Sequence, residues 1–118
     1  MYIWTESPHT KNQNPRARQR VVLFSHVPLH PDVCTPDCLL WNYEAVLALL
    51  HMHQGLVPLC LAGHCHAAHV YRDPESGVVH CALDSPLEQR DAYSTVRVYE
   101  DRIEVQGFGA NASVVVRL

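Results

Sequence analysis

The chain has little of what would direct it to a membrane, a secretory route or a nucleic acid. Its longest apolar run, Leu56 to Ala62, covers seven residues, far short of the ~20 that a transmembrane helix needs. The N-terminus has no apolar stretch of the signal-peptide kind. Basic residues number 9 against 12 acidic ones, for a net charge of −3. A nucleic-acid-binding domain would carry a basic surface, so neither nucleic acid nor membrane is expected as a partner. Cysteines are few and odd in number: 34, 38, 60, 65 and 81. That is no secreted disulfide framework, and reduced thiols in the cytoplasm are the expectation. The sequon Asn111-Ala112-Ser113 matters only in a secreted chain. Internal repeats and low-complexity tracts are missing too.

What is present suits a globular core. Hydrophobic residues make up 47% of the 118 and charged ones 18%, a balance typical of one folded domain. Residues 1–20 lack periodicity, contain two prolines, and set Lys11, Arg16, Arg18 and Arg20 against Glu6 alone. They read as a flexible, solvated arm, which leaves 21–118 as the domain.

Val21 to Phe24 is a continuous apolar run, the mark of a strand covered on both faces. The loop 27–38 holds three prolines, which forbid regular structure. A helix is predicted from Trp41 to His53, with apolar residues at 43, 46, 47 and 50, Asn42 as N-cap and Gly55 as the stop. A second buried strand follows over Leu56 to Ala62. Strand, helix and strand together make a βαβ unit with a parallel pair. Beyond it, short antiparallel-looking strands are predicted near 67–72, 77–83, 93–99, 102–108 and 113–117, separated by turns such as 73–77. The fold class is therefore α/β, passing into β.

Open sheets of this kind gather chemistry at the carboxyl ends of their parallel strands. Both predicted parallel strands end there in histidine, as Phe24-Ser25-His26 and as Ala62-Gly63-His64. His66 lies two residues further on, and on extended backbone side chains at i and i+2 share a face. Two imidazoles so placed address one metal ion, or two ions about 3.5–4 Å apart as in binuclear hydrolases, with His26 as a third ligand. Cys65 faces away from the pair as a packing residue. Cys34 and Cys38, spaced CTPDC, offer half a zinc site, but no second Cys/His pair completes it. His51 and His53 sit at a helix end, where the dipole alone accounts for them.

FSHVPLHPD and LAGHCH resemble the fourth and fifth motifs of the calcineurin-like metallophosphoesterases. The runs VCTPDCLLWNYEAVLALLHMH, GVVH and STVRVYEDRIEVQGFG resemble more narrowly the manganese-dependent ADP-ribose/CDP-alcohol diphosphatases, from about residue 21 to 109. The resemblance implies a monomeric phosphohydrolase with an αββα sandwich and two divalent ions, manganese first and magnesium or zinc as alternatives. It would cleave the diphosphate of a small nucleoside-diphosphate compound. Carried over by position, His26 and His64 would sit on one metal and His66 on the other. Cys38, Trp41 and Asn42 would lie near the substrate.

In that family the first half of the fold supplies the carboxylates, the asparagine ligand and a catalytic histidine, through Gly-Asp-x-x-Asp and Gly-Asn-His-Glu motifs. Here neither Gly-Asp nor Gly-Asn occurs. The chain thus resembles the C-terminal half of the sandwich, residues 21–118 forming a partial domain with no catalytic residue of its own and no activity expected in isolation. Three imidazoles without a bridging anion suit zinc better than manganese, which prefers oxygen. A non-catalytic zinc-binding or interaction module is therefore the alternative, and a structural piece that pairs with another polypeptide is the third.

Overall fold

A computed structural model of the chain describes residues 19–118. Most of the basic arm lies outside the described residues.

Among the described residues, seven strands and one α-helix follow in the order β1 (Val22–Ser25), α1 (Tyr43–Met52), β2 (Leu59–Ala62), β3 (His69–Arg72), β4 (Val79–Ala82), β5 (Ser94–Val98), β6 (Arg102–Gly107) and β7 (Val114–Arg117). Each lies within two residues of its predicted bounds, except that β2 starts three residues late. Pro58 has no N–H to give a ladder, so pairing starts at Leu59. The loop after β1 is not wholly irregular, because Pro31–Val33 and Pro36–Cys38 form single 3₁₀ turns. Asn42 does hold the N-cap of α1, but its side chain makes no capping bond.

β1 and β2 pair in parallel, Val22 opposite Leu59 through Ser25 opposite Ala62. The expected antiparallel run beyond the histidines needs one correction. β4 joins β2 in parallel, and the four-stranded order is β1-β2-β4-β3. The chain leaves β2 for the sheet edge as β3, reverses through the turn 73–77, and returns as β4 in the gap. All four residues of β4 are buried, as an interior strand requires. The turn is closed by Asp73, whose Oδ1 accepts from the Glu75 amide at 2.9 Å and whose Oδ2 accepts from the Ser76 hydroxyl. Gly77 supplies the positive φ of 77° that ends it.

The strands β5, β6 and β7 form a separate antiparallel sheet. Alternation decides how the layers stack. Leu59, Leu61, Val79 and Cys81 point one way and pack on Ile103, Val105 and Val116 of the second sheet. Cys60 and Val78 point the other way, into a cluster with Leu50, Val46 and Leu47 of α1. The result is three layers: helix, mixed sheet, antiparallel sheet. Asn111 ties the sheets at one end: it is buried, and its Oδ1 accepts from the Asp84 amide at 2.7 Å. The folded sequon is therefore not an exposed glycosylation acceptor.

One polar group interrupts this core. His80 on β4 is 2% exposed, and neither ring nitrogen has a hydrogen-bond partner. It lies against His30, with ring centroids 4.9 Å apart, and His30 in turn stacks on Tyr71. Burial first, then His30, pushes the His80 imidazole down to about 4. Asp73 is also held low, but in its charged form. Burial raises its carboxyl, but hydrogen bonds from Ser76, Glu75 and His51 outweigh that and hold it at about 2.

Two measurements test this packing. Ile103→Ala, at the 1% exposed centre of the sheet interface, should cost about 2–5 kcal/mol in urea unfolding. For His80 the folded value lies below the ordinary 6.5. The unfolded chain therefore takes up the proton more readily between pH 6.5 and 4, and stability falls as pH drops through that window. The loss should reach about 3 kcal/mol, and urea midpoints of His80→Leu should lack that slope.

Candidate metal centre

The parallel register of β1 and β2 carries both chains out of the sheet side by side. There the Gly63 amide donates to the His26 carbonyl at 3.1 Å, which clamps the two strand ends together. His26 and His64 follow directly. The His26 Nε2 and His64 Nδ1 atoms lie 3.1 Å apart across 38 residues of sequence, with the rings edge to face at 72°. Both side chains are exposed.

The backbone between the histidines is not extended, contrary to expectation. His64 has φ 71° and His66 φ 52°, both in the left-handed region. The Cys65 amide donates back to the Gly63 carbonyl at 2.9 Å, so His64 is the centre of a three-residue γ-turn, a rare and strained form. Each such residue costs about 1–2 kcal/mol without a glycine. The shared face predicted from i, i+2 spacing therefore does not form. His66 turns to Glu88, its Nδ1 2.9 Å from Oε1.

The structure thus brings His26 and His64 together and sends His66 to a different partner. Among the described residues, no group of three or more histidine, cysteine or carboxylate side chains converges to hold an ion. The pair still fits a shared ligand. Two nitrogens 3.1 Å apart subtend about 95° at an ion about 2.1 Å from each, the usual imidazole–metal distance. His66 also fits, because a ligating imidazole commonly gives its other nitrogen to a carboxylate. Glu88 does this from 22 residues away, a partner that no local spacing reveals.

The candidate substrate residues flank this edge of the sheet in sequence. Trp41 is 94% exposed, Asn42 is exposed, and Cys38 is half-buried. Cys65 is half-buried and lines one open cavity with Cys34. Burial first, then Cys38 and Cys34, pushes its thiol up to about 12. His51 also does more than complement the helix dipole: its Nε2 meets Asp73 Oδ2 at 2.9 Å, pinning the end of α1 to the turn before β4.

No family model matches the chain. It does match the manganese-dependent ADP-ribose/CDP-alcohol diphosphatase of Danio rerio, 42% identical over 96 residues, which cover 78% of this chain and 29% of that protein. The enzymes of the same description from Homo sapiens and Arabidopsis thaliana are 37% and 32% identical over 95 and 94 residues, or 27% and 30% of their lengths. Over that segment the chain is homologous to these diphosphatases. A crystal structure of a dimetal phosphatase from Danio rerio superposes with a TM-score of 0.77 at 39% identity, covering 83% of this chain and 32% of that one. The mixed and antiparallel sheets therefore match those of this dimetal phosphatase in fold. The chain spans about 30% of the length of the diphosphatases it matches.

The left-handed histidines give a direct test of the local strain. His64→Gly should raise stability by up to about 1 kcal/mol, because glycine takes a positive φ without a Cβ clash. The same change at His69, inside β3, should lower it by about 0.5–1 kcal/mol. Urea midpoints of the two variants moving in the same direction would contradict the γ-turn.

Proposed function

We propose that this chain contributes the histidine side of a calcineurin-like dimetal site that cleaves the diphosphate of nucleoside-diphosphate-linked compounds, such as ADP-ribose or a CDP-alcohol. One observation carries the reading: the 3.1 Å approach of His26 Nε2 to His64 Nδ1 at the carboxyl ends of adjacent parallel strands. The homologous segment of the diphosphatases and the dimetal phosphatase likeness support it.

In this reading His26 and His64 hold one divalent ion and His66 the second, with Glu88 fixing the tautomer and direction of the His66 ring. Manganese is the first choice for both. Bound ions of this kind lower the pKa of a water and offset charge on the phosphoryl oxygens. Trp41 offers an exposed indole face on which a nucleobase can stack, and Asn42 and Cys38 stand beside it in sequence. Among the described residues neither His26 nor His64 is paired with a carboxylate within 4 Å. Two imidazoles alone bind hard manganese weakly, so the chain by itself is inactive and its activity needs oxygen ligands from outside these residues. The compartment that fits is the cytoplasm.

The test is made on the 118-residue chain. Manganese added stepwise should broaden the His26 and His64 ring resonances together, and His64→Ala should abolish the broadening at His26. Hydrolysis of ADP-ribose should stay far below the ~1 s⁻¹ of an ordinary enzyme. Broadening at His26 that survives in His64→Ala removes the shared-ion reading. One tightly held zinc per chain with no response to manganese favours the zinc-binding module instead.

A further inference from the structure

The open cavity that Cys65 lines has a volume of about 350 Å³ and lies between the turn Pro31–Val33 and the start of β3. Val33, Ala67 and Ala68 give it small apolar walls, among which stand the Asp32 carboxylate, the Thr35 hydroxyl and the His69 imidazole. Because Cys65 separates His64 from His66 in the chain, the cavity adjoins the loop that carries the candidate ligands. The turn holding Asp32 has a fixed place. Pro31 begins it, and the buried His30 accepts the Asp32 amide at Nδ1, 3.1 Å away. His30 itself packs on the rings of Tyr71 and His80. A nitrogen that accepts an amide carries no proton, so His30 Nδ1 gives no hydrogen bond to the Asp32 carboxylate, whose Oδ2 is 3.7 Å away. Among the described residues no lysine or arginine lies within 4 Å of that carboxylate, and its side chain is 59% exposed. It is open to a ligand.

We propose that this cavity is the subsite for a pentose of the substrate, with the two oxygens of Asp32 accepting from a vicinal pair of ribose hydroxyls. The inference rests on the diphosphatase reading above and adds to it which part of the substrate this chain grips. An ionised carboxylate only accepts, and it offers two oxygens. That is the complement of a cis diol, and acidic side chains hold ribose hydroxyls in the same way in dinucleotide sites. Thr35 and His69 supply polar partners for the other oxygens of the sugar, while Ala67 and Ala68 leave room for the ring. The volume is at the low end of the ~300–1,000 Å³ of ligand pockets, which suits one sugar and not a whole dinucleotide. A carboxylate would also attract a cationic alcohol such as choline. Quaternary ammonium groups, however, are recognised by aromatic cages, and no Phe, Tyr or Trp is among the described residues that line this cavity. The neutral diol is the better match.

The probe is methyl β-D-ribofuranoside, which has no phosphate and needs no metal, added to the 118-residue chain and followed by amide resonances. It should shift the Thr35, Ala67, Ala68 and His69 amides together. Half-saturation is expected on the order of 10 mM, as suits a ligand of about eleven non-hydrogen atoms. The 2-deoxy analogue, which lacks one hydroxyl of the pair, should bind about ten-fold more weakly, because a hydrogen bond to a charged acceptor is lost. Asp32→Asn should weaken the riboside by a similar factor. Asp37→Asn, at an exposed carboxylate that does not line the cavity, should leave binding unchanged. Equal binding of the riboside and its deoxy analogue overturns the proposal, and so does an equal loss in the two Asn variants. Amides that stay still up to ~100 mM riboside, or that respond to choline at lower concentration, overturn it as well. Neither probe nor readout involves manganese, His26 or His64. Still amides with the shared manganese broadening intact remove the pentose subsite alone, whereas lost broadening with riboside binding intact removes only the metal reading.

Discussion

The parallel pairing of β1 with β2 is the constraint on which the candidate site depends. Four residues of each strand lie in register, and the next step of the ladder, from the Gly63 amide to the His26 carbonyl, already belongs to the loops. Because the strands run the same way, their carboxyl ends emerge together. A residue placed just after each must then face its counterpart, however long the crossover between them. That is how an imidazole from position 26 comes within 3.1 Å of one from position 64. The helix makes the crossover possible by covering one face of the pair, and the second sheet covers the other. β2 is buried throughout, whereas β1 at the sheet edge stays half-buried, with Phe24 43% exposed.

The same edge concentrates cost. Two histidines hold left-handed backbone, and Cys34 and Cys65 line one open cavity. Local strain of this kind is kept where the surroundings over-determine it, and it gathers at functional sites. Here the clamp at Gly63 on one side and the His66–Glu88 contact on the other enforce the turn. A different cost lies deeper, in His80, whose two ring nitrogens are without partners inside the helix-facing layer. A buried polar group left unpaired costs about 1–3 kcal/mol, yet the His30–His80 and His30–Tyr71 stacks fill the space with ring contacts. The structure offers no chemical role for that ring.

The chain is homologous to about 30% of the diphosphatases it matches and superposes on a dimetal phosphatase. The donors within this part are imidazoles, and they are neutral ligands. An ion of charge two, and still more a pair of such ions, needs anions to balance it. Glu88 is the one carboxylate that meets a candidate ligand among the described residues, and it orients His66 rather than bridging.

Sequence alone determined the elements and their types. Continuous apolar runs marked β1 and β2, a 3.6-residue apolar stripe marked α1, and polar–apolar alternation marked β5 and β6, because these patterns reflect burial that each element carries in its own residues. It also placed His26 and His64 at strand ends, since the run and its terminating glycine are local signals. Only the tertiary structure decided the insertion of β4 between β2 and β3, because β4 has the same buried pattern whichever neighbour it takes. It alone decided that His66 leaves the pair for Glu88, because a positive φ at His64 turns the chain and no side-chain pattern encodes that angle for a non-glycine residue. It likewise brought Cys65 and Cys34 to one cavity, and His51 to Asp73. These partners lie 22 to 31 residues apart, a distance at which contact is set by how layers stack and not by any spacing along the chain.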